Sequence, residues 1–279
     1  MAYSGQVHSV FRQTVNISAT DGRLYSIATA QQDNAPCSIR VAAPIPFTEM
    51  GIQSGDKVQA AQGKLCVGNI TIDIADIALW ESVLPAFPAR QSGMVLENHT
   101  NILRQCIARY GKSGGLRDLW FSSTSSAYQS VFSAVLTESA QNLLAALRKK
   151  DFDEAYRRGC ELIGLGGGLT PSGDDFCAAL LTVINMPKGP FGEKYRRLGY
   201  QLADTAIQQT TVISQDMLKL AANGQARENV IAVLREVTGG SPASLEAATL
   251  KVLQIGSLSG TDWAVGLTAG LELGGEFAE

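Results

Sequence analysis

Histidine is nearly absent from this chain, since only His8 and His99 occur among its 279 residues. Two histidines so far apart exclude a histidine-rich zinc site, and no Cys-x-x-Cys pair occurs among the five cysteines. Charged residues are scarce as well, at 18% against about 25% in typical soluble domains. With a formal net charge of −3, the sequence offers no basic surface for nucleic acid or an anionic membrane.

Long apolar runs and a secretion signal are also missing. The longest apolar stretch, near Phe176–Ile184, is too short to cross a bilayer. The first residues contain neither a basic nor an apolar signal region, and the odd, irregularly spaced cysteines indicate reduced thiols. We therefore expect a cytoplasmic protein that binds neither nucleic acid nor a membrane.

The N-terminal part of the chain is rich in strand-forming residues. Segments of Val, Ile, Tyr and Ser with partial alternation are separated by turn signals such as Asp21-Gly22 and Gly68-Asn69. Six short strands at this spacing predict a small β-barrel or β-sandwich-like domain. The predicted strands are Gln6–Ile17, Arg23–Thr29, Pro36–Ala43, Val58–Gln62, Lys64–Val67 and Ile70–Ile74.

The rest of the chain shows helical periodicity. Leu84–Gly93, with two prolines and a glycine, is the best candidate for a linker. We predict an α+β protein with a β domain over residues 1–90 and a larger, mainly α-helical domain over residues 91–279. Apolar residues at three- and four-residue spacing predict the helices Val95–Tyr110, Ser125–Lys149, Asp151–Ile163, Asp174–Asn185, Glu193–Gln209, Ser214–Ala222, Arg227–Val237, Ser244–Gln254 and Thr261–Leu273.

The most informative segment is the glycine-rich loop Gly164–Phe176, which reads Gly-Leu-Gly-Gly-Gly-Leu-Thr-Pro-Ser-Gly-Asp-Asp-Phe. It leads into an apolar helix whose free N–H groups need a cap, and either Ser172 or Thr170 is predicted to provide it. A glycine-rich loop before a helix can bind an anion through backbone N–H groups. The alternative is a purely structural capped turn.

Two adjacent carboxylates follow these glycines. Asp174 and Asp175 would repel a bare phosphate, but one of them can accept a hydrogen bond from a substrate amide or bind Mg²⁺. We predict both as catalytic residues, with Asp175 as a possible Mg²⁺ ligand. No other cofactor is expected.

A second segment repeats this pattern. Ser259–Leu267 matches Ser172–Leu180 with Ser, Gly, Asp, an aromatic residue and Leu at equal offsets, and Ser257 corresponds to Thr170. We predict that the two helix N-termini converge on one ligand from opposite sides, while two ordinary serine caps are the alternative. Two weaker features each have two interpretations. Thr210–Ser214 could lend hydroxyls to a ligand, although Ser214 as an N-cap is favoured, and Lys112–Arg117 could clamp a carboxylate or phosphate, although a solvated turn is favoured.

The glycine-rich segment resembles the hallmark motif of the AllH family. Thr210–Ser214 and Ser257–Asp262 are similar to later motifs of that family, and Phe11–Asn16 and Ile72–Trp80 to its N-terminal patterns. The resemblance implies a subunit of oxamate carbamoyltransferase, which interconverts oxalurate plus phosphate with oxamate plus carbamoyl phosphate in allantoin or purine breakdown. It also implies a hetero-oligomer with two other proteins, one of them FdrA-like.

This chemistry needs positioning and charge stabilisation more than covalent catalysis. Two alternatives remain open: a non-catalytic assembly subunit of the same complex, and a stand-alone enzyme that binds a nucleotide or an acyl phosphate. We expect the small anionic substrate to be bound by backbone N–H groups and hydroxyls of Gly166, Gly167, Gly168, Thr170, Ser172, Gly173, Ser214, Ser257, Ser259, Gly260 and Asp262.

Overall fold

The computed structural model describes residues 3–88, 93–119 and 131–278. The predicted α+β class is confirmed, because a curled seven-stranded sheet precedes a helical region. The chain divides into two compact units, Met1–Ser82 and Val83–Glu279. The predicted linker lies partly outside the described residues, at 89–92, and so does the beginning of the helix predicted over Ser125–Lys149.

The N-terminal unit is a single sheet with the strand order β4-β3-β2-β1-β5-β6-β7, curled into a half-barrel. Neighbouring strands pair antiparallel, except for β3 and β4, which are parallel. Its strands are β1 (Tyr3–Val10), β2 (Thr14–Ala19), β3 (Leu24–Thr29), β4 (Ser38–Val41), β5 (Lys57–Ala61), β6 (Lys64–Val67) and β7 (Ile70–Asp73).

The first predicted strand, Gln6–Ile17, is in fact a hairpin of β1 and β2. The N–H of Phe11 donates to the carbonyl of Thr14 at 2.8 Å, which closes a turn that contains neither glycine nor proline. A sequence without the usual turn residues therefore reads as one continuous strand. The sheet buries alternating aliphatic residues such as Val7, Val15 and Val58 on one face.

The regular secondary structure in the described part of the C-terminal unit is entirely helical. Its helices are α1 (Gly93–Tyr110), α2 (Val131–Arg148), α3 (Phe152–Leu162), α4 (Ser172–Ile184), α5 (Glu193–Thr205), α6 (Val212–Ala222), α7 (Glu228–Gly239), α8 (Pro242–Leu253) and α9 (Ser259–Ala278). A 3-10 turn, Ala206–Gln208, follows α5. None of the helices in the described ranges combines the length and apolarity that crossing a membrane requires.

Helices α4 and α9 form the centre of this unit. Every residue of α4 is buried, which is expected for its apolar part from Phe176 onwards and which also buries Asp174 and Asp175 in its first turn. Gly266 of α9 packs against Ala179 of α4, and Gly270, one turn later, packs against Val183. Residue numbers rise together along the contact, so the two helices run parallel and both begin at the same end of the unit.

Candidate functional site

The two helix starts identified in the sequence have the same backbone arrangement. The N–H of Gly173 donates to the carbonyl of Leu165, and the N–H of Gly260 donates to that of Ile255, both at 2.9 Å. A Cβ atom at Gly173 would collide with the carbonyl oxygen of Leu162, and one at Gly260 with that of Val252. Only glycine allows each helix start to approach the end of the preceding helix this closely, which explains why both copies contain it.

The first loop is the longer of the two, and its additional residues are Gly167, Gly168 and Leu169. All three are exposed, and Gly166 and Gly168 have positive φ angles of 138° and 95°. Within the described part of the chain, no acceptor takes a hydrogen bond from the backbone N–H groups of residues 166–169 or 256–259. These groups are available to an anion, as is the exposed hydroxyl of Ser257.

Side chains from the two helix starts are linked directly. The hydroxyls of Thr170 and Ser259 lie 2.9 Å apart, and Thr170 also donates to Oδ2 of Asp175 at 3.1 Å. The indole N–H of Trp263 in α9 donates to Oδ1 of Asp175 at 3.1 Å. The two N-termini therefore lie side by side, which differs from the approach from opposite sides that the sequence repeat predicts.

Asp174 faces the start of α6 instead. Its Oδ1 accepts the N–H of Gly164 at 2.7 Å, and its Oδ2 accepts the hydroxyl of Thr210. Burial raises the pKa of Asp174, and the hydrogen bonds from Thr210 and Gly164 oppose this rise. Asp174 thus ties the beginning of the glycine loop to the segment before α6.

Asp262 is the third buried carboxylate. Its Oδ1 accepts the N–H of Leu116 at 2.7 Å, whereas its Oδ2 receives no hydrogen bond of good geometry within the described part of the chain. Burial raises the pKa of Asp262 to about 6, although the Leu116 N–H and the nearby Ser172 hydroxyl lower it. This side chain has an open acceptor and titrates near neutral pH.

The pKa of Asp175 is affected by the charges of the other two carboxylates. Burial raises the pKa of Asp175 well above its usual value, and the negative charge of Asp262 raises it further. Asp175 and Asp262 are almost completely buried, at 1% and 0% exposure, so their mutual repulsion is poorly screened. Burial and this repulsion both favour the protonated form of Asp175.

Both predicted serine caps are wrong. The N-cap of α4 is Pro171, which has no side-chain hydrogen bond, and Ser172 is instead the first helical residue, buried beside Asp262. Helix α6 is capped by Thr211, whose hydroxyl accepts the N–H of Ser214 at 3.2 Å. Ser214 is fully buried, and its hydroxyl has no partner of hydrogen-bonding geometry within the described chain, although it lies close enough to Asp174 to lower its pKa.

Three contacts at this site were not assigned from the sequence. The sequence does mark the position of Trp263, because the repeat has an aromatic residue at the same offset in both copies. The contact of Gly164 with Asp174 also lies within the conspicuous motif. The contact of Leu116 with Asp262 joins residues remote in sequence, and no local pattern marks it.

The donor set does not fit a resident Mg²⁺ ion. Both oxygens of Asp175 accept hydrogen bonds from neighbouring side chains, and the described residues contain no group of three His, Cys, Asp or Glu side chains that could hold a metal. Mg²⁺ is usually bound by carboxylates that are free to face the ion. The reaction steps proposed below therefore use no metal.

Comparison with known families agrees with this arrangement of two units. Residues 162–271, which contain both helix starts, match the family model described as oxamate carbamoyltransferase subunit AllH. Residues 1–79 match the AllH family N-terminal domain. The chain belongs to the AllH family. The family is named as a subunit of a carbamoyltransferase, and an AllH protein is accordingly expected to work in a hetero-oligomer. No solved structure matches the chain.

Proposed function

We propose that this AllH protein provides the anion and substrate site of an oxamate carbamoyltransferase, between the N-termini of α4 and α9. In the proposed reaction a phosphate oxygen attacks the carbamoyl carbon of oxalurate. The bond from that carbon to the oxamate nitrogen breaks, and the nitrogen takes up a proton. The products are oxamate and carbamoyl phosphate.

The observation that supports this proposal best is the pairing of two parallel helix starts with free N–H groups in both preceding loops. Helix dipoles and backbone N–H groups stabilise negative charge on phosphate and on the developing oxyanion. Since Gly167 and Gly168 carry no side chains, a ligand can lie directly against the backbone. The exposed hydroxyl of Ser257 adds a donor at the same end of the unit, whereas the hydroxyl of Thr170 already donates to Asp175 and that of Ser259 already pairs with Thr170.

The carboxylates have different roles in this proposal. The Asp175–Asp262 pair carries the proton that the oxamate nitrogen takes up, because a group with a pKa near neutrality is best suited to general acid catalysis. Asp262 contributes the open oxygen, and Asp175 orients Thr170. Asp174 is a positioning residue that fixes Gly164 and Thr210.

The test is an assay of carbamoyl phosphate formation from oxalurate and phosphate. The chain is assayed alone and together with its two proposed partners, one of them FdrA-like. Asp262→Asn is expected to lower the rate by about 10²-fold or more, as loss of a general acid does. The control is Asp153→Asn, at an exposed aspartate in the first turn of α3.

An assembly role is the second candidate, and one observation favours it. All four oxygens of Asp174 and Asp175 already accept hydrogen bonds within the protein, as in a purely structural network. If activity requires the partners and is unchanged by both Asp175→Asn and Asp262→Asn, the chain supports a reacting centre in another subunit. Loss of activity in the folded Asp262→Asn variant would instead favour the site proposed here.

A further inference from the structure

A short glycine-rich segment, Gly111–Leu116, lies across the first turn of α9. The N–H of Lys112 donates to the hydroxyl of Thr261 at 2.9 Å, and the N–H of Leu116 donates to Asp262 at 2.7 Å. A Cβ atom at Gly115 would collide with the Asp262 carboxylate. We call Gly111–Leu116 the strap, and it differs from the solvated turn predicted from the sequence because both of its ends are anchored to α9.

The strap places a positive charge beside the second loop. Nζ of the exposed Lys112 donates to the carbonyl oxygen of Gly256 at 2.6 Å. An ammonium group has three donors, so two remain for another acceptor. The free N–H groups of residues 256–259 and the exposed hydroxyl of Ser257 belong to the same loop. This combination of a cation, backbone donors and a hydroxyl is typical of sites for phosphate or carboxylate.

An unsatisfied acceptor lies under the strap. Asp262 is completely buried, and its Oδ2 has no hydrogen bond of good geometry within the described residues. Buried polar atoms in native proteins nearly always have partners, so an open carboxylate oxygen here points to a donor from a ligand. An amide N–H is such a donor. This observation is separate from the free N–H groups of the loop and from Lys112.

From these contacts we propose that Lys112 pairs with the anionic group of the ligand, while the open oxygen of Asp262 accepts its amide N–H. The ligand class is a small molecule with a phosphate or carboxylate next to an amide, which includes oxamate and carbamoyl phosphate. The inference rests on the proposed function and deepens it, because it assigns the anionic end of the ligand to the second loop and its strap. Thr261 and Leu116 act as positioning residues that hold the strap in place.

The test measures equilibrium binding of inorganic phosphate, oxamate and oxalate to the full chain by calorimetry at low salt. Lys112→Met is expected to weaken binding of all three about tenfold or more, because a charge-assisted hydrogen bond is lost. Lys112→Arg retains most of the affinity. Lys251→Met removes the same charge from an exposed position on α8 and serves as the matched control.

The contact between Asp262 and the amide is tested separately by comparing the affinity for oxamate with the affinity for oxalate, which lacks the amide. Asp262→Asn is expected to reduce the preference for oxamate over oxalate, whereas Lys112→Met weakens both ligands alike. Unchanged affinities in Lys112→Met, or no binding of any of the three anions by the unmodified chain, would overturn the inference.

The result is separable from the proposed function. If Lys112→Met leaves the turnover of oxalurate by the complex at its full rate, the function stands and the inference fails. If the complex does not act on oxalurate but phosphate binding still depends on Lys112, the anion site stands and the reaction assignment fails.

Discussion

At the scale of single residues, the buried carboxylates make stability depend on pH. The pKa of Asp262 is raised from 3.8 to about 6 by burial, so the folded chain binds this proton more tightly than the unfolded chain does. The stability that protonated Asp262 contributes is therefore lost as the pH rises from about 4 to about 6. Above about pH 6 this residue causes little further change in stability. The shift corresponds to about 3 kcal/mol.

Asp262→Asn removes this titration. We measure the free energy of unfolding with urea at pH 4 and at pH 7.5. Between these two pH values, the unmodified chain should lose the stability that protonated Asp262 provides, and the variant should not. The exposed Asp76→Asn serves as the control. Identical pH profiles for the unmodified chain and Asp262→Asn would show that the buried carboxyl does not titrate as described.

Thr210 is a second residue whose role depends on a buried acid. In Thr210→Val the shape of the side chain is kept, but Oδ2 of Asp174 loses its hydrogen bond. Leaving a buried acceptor unsatisfied costs about 1–3 kcal/mol. The melting temperature should fall accordingly, whereas Thr238→Val, at an exposed position where the hydroxyl bonds only within its own helix, should change it little. Equal effects of the two substitutions would contradict the assigned role.

At the scale of elements, the close packing of α4 against α9 brings the two helix starts together. A Cβ at Gly266 would lie 2.7 Å from Cβ of Ala179 and closer still to the carbonyl oxygen of Phe176. Gly266→Ala should therefore separate the helices and destabilise the fold by about 1–3 kcal/mol through overpacking. Gly239→Ala, at the end of α7 where a Cβ meets no atom, is the matched control.

Chemical denaturation measures this difference, and phosphate binding provides a second readout. We expect Gly266→Ala to weaken phosphate binding as well, because the separation of the helices moves Ser259 away from Thr170. A Gly266→Ala variant as stable as Gly239→Ala would mean that the helices are not packed as closely as the structure indicates.

At this scale, the sequence predicts features that depend on residues close together in the chain, and it misses contacts between residues that are far apart in the chain. The glycines at 173 and 260 are required by a carbonyl group near the end of the helix just before each loop, so the repeat is recognisable from a local pattern alone. Ser172 was assigned as a cap because serine at a helix start usually is one. Its actual neighbour, Asp262, belongs to another helix, and such a tertiary contact leaves no periodic signal in the sequence. The same limit concealed the contact of Leu116 with Asp262.

At the scale of the whole molecule, every residue assigned to the proposed site lies in the unit Val83–Glu279. This unit has its own buried core around α4, and the sheet of the other unit has a separate aliphatic cluster. A unit of this size with its own core is large enough to fold independently.

We therefore expect a fragment of residues 83–279 to unfold cooperatively. We also expect it to bind phosphate with an affinity within about threefold of that of the full chain, because no contact to phosphate is removed. A threefold change in affinity corresponds to about 0.7 kcal/mol. Circular dichroism and calorimetry measure the two properties. The same fragment carrying Lys112→Met is the control, and it should fold equally well but bind phosphate weakly. A folded fragment that has lost phosphate binding would place part of the anion site in residues 1–82.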